Sequence, residues 1–157
     1  MGDFVRLKCR GGGNGKRYLS GDPFSGDSGT VSLRSSTAPG TLWLRRSLGV
    51  AGQYSLTCME GWDAFDILFP FVFDEPRYLD GNIFNGEVKL STTTEPPFTG
   101  TRWFQQEEDE ARSFRCLGTG EVVDPARMLD GWVDKGTVQL RPDEDIFTGR
   151  MWTVEAE

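Results

Sequence analysis

The chain has 157 residues, with 24 acidic against 17 basic side chains, a net charge of -7 and no histidine. A single domain of this length buries about 70% of its unfolded surface, so it needs no disulfide or metal to hold it together. The negative balance works against nucleic acid and anionic membranes, whose phosphates are held by Lys and Arg, and the missing imidazole excludes Ser-His-Asp triads, Cys-His triads and histidine metal sites.

No run of 18 apolar residues is present, and Met1 to Arg6 has neither the charged nor the apolar region of a signal peptide. The three cysteines, Cys9, Cys58 and Cys116, are odd in number and lack a ligand cluster. They are expected to be free thiols, buried on equivalent strands about the same axis, in a reducing cytoplasm. No cofactor and no metal are expected.

In chain order, short runs of period-two alternation cover Phe4 to Cys9, Thr30 to Arg34, Leu42 to Arg45, Tyr54 to Cys58, Glu87 to Ser91, Arg102 to Gln105, Ser113 to Cys116, Thr137 to Arg141 and Met151 to Glu155. None keeps an apolar stripe at i, i+3, i+4 and i+7, so the chain reads as all-β. Ser20-Gly21, Asp80-Gly81 and Asp130-Gly131 are expected to form tight turns, the glycine taking positive φ and the Ser or Asp bonding its own backbone. Gly11 to Lys16 is glycine-rich but lacks the Lys-Ser/Thr ending of a phosphate cradle. Gln105 to Glu110 is expected to be a solvated acidic linker rather than a metal site.

These runs repeat. Cys9, Tyr18-Leu19-Ser20-Gly21, Gly29-Thr30-Val31-Ser32-Leu33 and Trp43 return as Cys58, Tyr78-Leu79-Asp80-Gly81, Gly86-Glu87-Val88-Lys89-Leu90 and Trp103. They return again as Cys116, Met128-Leu129-Asp130-Gly131, Gly136-Thr137-Val138-Gln139-Leu140 and Trp152. Three copies of four strands predict a single twelve-stranded β-trefoil over 1–157, with repeats at about 4–49, 53–108 and 111–157. Its six-stranded barrel would be capped by three hairpins, with the repeated Leu, Val and Trp in the core. The second copy carries an aromatic insertion at 61–76 between its first two strands. A loop so apolar either plugs the barrel or offers a binding surface.

The Cys116-Leu117-Gly118 opening, the Gly-x-Val-x-Leu third strand and the small-residue-then-Trp fourth strand resemble the ricin B-chain-like β-trefoil superfamily over essentially the whole chain. More closely, the runs Arg77-Tyr78-Leu79-Asp80-Gly81 and Phe98-Thr99-Gly100-Thr101-Arg102-Trp103, echoed by Phe147-Thr148-Gly149-Arg150-Met151-Trp152, resemble a bacterial branch of trefoil repeats. The resemblance implies carbohydrate binding through an acidic residue two positions after the opening Cys, an aromatic platform and a Gln-x-Trp ending. Here those positions hold Gly11, Glu60 and Gly118, and Thr41, Thr101 and Arg150. The acidic acceptor therefore survives in the second repeat alone.

Glu60, Trp62, Phe69 and Phe71 are the expected ligand-binding residues, for a carbohydrate or a small apolar molecule. Two other classes compete. Asp63, Asp66, Asp74 or Glu75, desolvated among the aromatics, could serve a histidine- and metal-free isomerase or cyclase. The insertion could instead anchor a protein partner.

Overall fold

Alternating apolar and polar side chains make strands wherever one face can be buried, and the computed structural model, which describes residues 2–23, 29–59, 76–92, 99–118, 127–142 and 148–157, contains twelve of them among those residues. The first four are β1 (Gly2–Cys9), β2 (Tyr18–Asp22), β3 (Thr30–Arg34) and β4 (Trp43–Ser47). The next are β5 (Gln53–Cys58), β6 (Arg77–Gly81), β7 (Val88–Ser91) and β8 (Trp103–Glu108). The last are β9 (Ala111–Cys116), β10 (Met128–Trp132), β11 (Thr137–Arg141) and β12 (Trp152–Ala156).

All pairings are antiparallel. β1 pairs with β4, β4 with β5, β5 with β8, β8 with β9, β9 with β12, and β12 returns to β1, so six strands close on themselves and leave no edge. The others form the hairpins β2–β3, β6–β7 and β10–β11. The bridges Thr30 to Lys89, Ser32 to Thr137 and Glu87 to Gln139 join those hairpins in a triangle. The arrangement has the threefold order of the sequence copies.

The core is built from the same columns. Leu19, Leu79 and Leu129, with Leu33, Leu90 and Leu140, are buried around Trp43, Trp103 and Trp152, which are wholly inaccessible to solvent. A buried indole must place its N–H. Nε1 of Trp43, Trp103 and Trp152 donates to the carbonyls of Leu19, Leu79 and Leu129 at 2.9, 3.0 and 3.0 Å.

The expected turns at Ser20-Gly21, Asp80-Gly81 and Asp130-Gly131 are corrected by the structure: these pairs lie inside β2, β6 and β10, and their glycines do not take positive φ. Close approach is what requires glycine there. A Cβ on Gly21 would stand 2.8 Å from Cys58 Sγ and 3.2 Å from Trp43 Cη2. On Gly81 it would stand 3.1 Å from both Cys116 Sγ and Trp103 Cη2, and on Gly131 it would stand 2.9 Å from Cys9 Sγ and 3.2 Å from Trp152 Cη2. Each cysteine thus seals the Gly–Trp contact of the copy before it, with Cys9 closing the third. All three are free and buried.

Ser20 and Asp130 bond across the fold rather than to their own backbone. Ser20 Oγ donates to Pro39 O at 2.9 Å, and Asp130 Oδ2 accepts from Arg141 Nε at 3.0 Å. The hairpin turns follow: Asn82 Oδ1 accepts from Phe84 N at 2.9 Å, and Gly86 and Gly136 supply φ of 77° and 70°.

The acidic stretch is likewise a strand with a turn rather than a linker. Gln105 to Glu108 complete β8 against β9, because that register gives each carboxylate a partner: Glu107 pairs with Arg112 at 3.2 Å, and Glu108 accepts from Ser113 at 3.0 Å. Asp109 turns the chain at φ 54°. Among the described residues no group of three or more His, Cys, Asp or Glu could hold a metal ion, and no helix is long and apolar enough to cross a membrane.

A candidate ligand-binding cleft between the first and third copies

A cleft of about 250 Å3 opens where the loop after β1 meets the β10–β11 hairpin. Its floor is main chain: Gly11, Gly12, Gly131 and Gly149 line it, and backbone that bare lets a ligand approach closely. A Cβ on Gly11 would be 3.1 Å from Gly149 Cα, whereas one on Gly12 would meet nothing within 4 Å.

Trp132 and Val133 form an apolar wall, and Asp130, Asp134 and Arg141 supply polar groups. Trp132 is 42% exposed, in contrast to the buried Trp43, Trp103 and Trp152. It follows the strand glycine of the third copy, where the other copies have the polar Asp22 and Asn82. The hairpin closes without an indole in those copies, so packing does not demand Trp132. A pyranose-sized ring would stack on it.

Asp130 and Arg141 are joined at 3.0 Å, with their side chains 6% and 29% exposed. The Arg141 guanidinium also lies against the Gln139 side-chain amide, whose oxygen accepts from its Nε and Nη2, so it is held in place at the cleft. Asp80, the counterpart of Asp130, faces Lys89 rather than an arginine. Burial raises the Asp80 carboxyl above its usual range, and the Lys89 charge only partly offsets this.

The glycine-rich loop is also held by an arginine. Arg17 donates to the carbonyls of Cys9, Gly11 and Gly13 at 3.2, 2.5 and 2.6 Å, and Arg127 repeats this in the third copy with Cys116 O and Gly118 O at 3.3 and 2.9 Å. Carbonyls turned onto a cation are the reverse of a phosphate cradle, whose amides point inward. The sequence signal, Arg two positions before the repeated Leu at Arg17, Arg77 and Arg127, was there to be read.

The ligand residues expected in the second repeat, Glu60, Trp62, Phe69 and Phe71, and the acid–base candidates Asp63, Asp66, Asp74 and Glu75 lie outside the described residues. Of the positions that the resemblance marks in the other copies, Gly11 lines this cleft and the rest contact the scaffold. Gly11 and Gly118 pack against Gly149 and Ile83, and buried Thr41 donates to Ala38 O at 3.0 Å. Arg150 stands 3.9 Å from Glu108. Trp132 was not among the expected residues. Two wider grooves of about 470 and 510 Å3 share Arg10 and Glu110, but their linings hold charged chains and no aromatic ring.

Among solved structures the chain is similar to Cry35Ab1, with a TM-score of 0.66 at 13% identity over 98% of this chain and 35% of that one. It is similar to the Polyporus squamosus lectin bound to the human-type influenza-binding epitope Neu5Aca2-6Galb1-4GlcNAc, with a TM-score of 0.63 at 15% identity over 98% of this chain and 48% of the lectin. A mosquitocidal holotoxin matches with a TM-score of 0.69 at 15% identity, over 100% of this chain and 17% of the toxin. The chain spans less than half the length of each, and at such identities the likeness is one of fold. No family model and no curated protein sequence matches it.

Proposed function

We propose that the chain is a ricin B-like β-trefoil that works as a carbohydrate-recognition module, with the Trp132 cleft as its main site. The fold is shared with a lectin. The observation that carries the reading is Trp132 itself: a half-exposed indole at a position where the other copies have small polar residues, standing over a glycine floor beside a carboxylate–guanidinium pair. A sugar needs that combination, an apolar plate for its C–H face and fixed polar groups for its hydroxyls. The Trp62 to Phe71 part of the insertion is proposed as a second contact on the same module, and the three free thiols fit a reducing compartment.

The test is a broad glycan array probed with the parent, Trp132→Ala and Trp62→Ala. The proposal expects at least one glycan to bind the parent and to lose binding in Trp132→Ala at unchanged melting temperature. Binding that survives Trp132→Ala but fails in Trp62→Ala would move the site to the second repeat. An array empty for the parent would overturn the carbohydrate reading.

A further inference from the structure

Resting on that carbohydrate reading, we infer that the ligand of the cleft carries an anionic substituent on its stacked ring, and that Lys135 recognises it. The two carboxylates of the cleft are already committed to protein groups. Asp130 is held by Arg141 at 3.0 Å. Asp134 Oδ1 accepts from Asn14 N at 3.4 Å. Lys135 is committed to neither. Its Nζ lies 4.1 Å from the centroid of the Trp132 ring, and among the described residues no carboxylate pairs with it.

The turn fixes this couple, since Lys135 N and Gly136 N both donate to Trp132 O, at 3.2 and 2.8 Å. The second copy places Asn82 and Asn85 at the matching positions, so the indole–ammonium couple is not needed to close a hairpin. An ammonium on a four-carbon stem is mobile enough to rest on the indole when the site is empty and to leave when a ring stacks there. Stacking takes away its partner, and a neutral ring offers no replacement. A carboxylate or sulfate on the incoming sugar does, and the displaced Lys135 then pairs with it at the edge of the plate. In a chain of net charge -7, this cation beside the cleft selects charge locally against the repulsion of the whole molecule.

The experiment uses an array printed with matched sets of oligosaccharides, each a neutral hexose oligomer, its hexuronate counterpart and its O-sulfated counterpart, probed with the parent, Lys135→Met and Lys135→Arg. An exposed ion pair is worth up to about fivefold in affinity. Anionic members should bind the parent about fivefold more tightly than their neutral partners, with the ratio shrinking as salt rises. Carboxylate and sulfate are separated by which counterpart gains more. Lys135→Met should bring the ratio to one while leaving neutral binding in place, and Lys135→Arg should restore it. Neutral members bound as tightly as anionic ones, or a preference that survives Lys135→Met, overturns this inference and leaves carbohydrate recognition standing. No binding by any member overturns the carbohydrate reading and this inference with it.

Discussion

The four tryptophans among the described residues divide by hydrogen bond and exposure into two kinds, and substitution should separate them. Trp152 is wholly buried with its Nε1 bonded to Leu129 O. Trp152→Ala should therefore lower the free energy of unfolding by about 3 to 5 kcal/mol, read from urea midpoints. Trp132→Ala should cost less than about 1 kcal/mol, since this partly exposed indole stands outside the core cluster. The two equivalent aspartates should behave oppositely. Asp130→Asn breaks a charge-assisted bond to Arg141 and should destabilise by about 1 to 3 kcal/mol at pH 7. Asp80 has its pKa raised by burial, so its ionised form opposes folding above the ordinary carboxylate pKa, and Asp80→Asn should raise the melting temperature at pH 7. That gain should vanish as pH falls below the ordinary value, where the unfolded carboxyl is protonated as well. The Cys116 thiol gives a parallel case at high pH: burial pushes it from 9.0 up to about 11. Its contribution is complete below about pH 9 and is lost as pH rises to about 11, so the urea midpoint should be flat to pH 8.5 and fall beyond it.

At the scale of the element, the strands were legible because their alternation is a local property, as with Thr137–Arg141, where the expected and observed limits coincide. The Leu-Asp-Gly runs were misread for a physical reason. A glycine after Asp signals a turn when the chain is considered alone, and only the packed thiol and indole reveal that Gly81 and Gly131 are glycine to leave room for other side chains. Gln105 to Glu108 were misread for a similar reason, since Arg112 and Ser113 come to face them only through strand pairing. Trp132 escaped because an indole after a strand glycine carries no motif. Aligning the copies column by column isolates it, since Asp22, Asn82 and Trp132 share one position. The aromatic insertion was conspicuous by composition, but its site residues fall outside the described segments.

For the whole molecule, the seams matter more than the copies. Cys58 and Cys116 seal the copy that precedes them, Cys9 seals the third, and β1 pairs with β12 from Val5 against Ala156 to Cys9 against Trp152. No copy has a finished core by itself, so unfolding followed by tryptophan fluorescence and by far-ultraviolet circular dichroism should give coincident transitions. Two separated transitions would mean that one copy folds independently. On this closed threefold scaffold the Trp132 cleft departs from symmetry, which is the ground for its proposed role in binding. It is tested most directly by titrating the tightest-binding glycan into labelled protein and following the indole N–H signals of the five tryptophans, assigned by single Trp→Phe variants. The Trp132 signal should shift and saturate with the binding curve, while those of Trp43, Trp103 and Trp152, bonded to leucine carbonyls, stay in place. A saturating titration that leaves the Trp132 signal unmoved would contradict it.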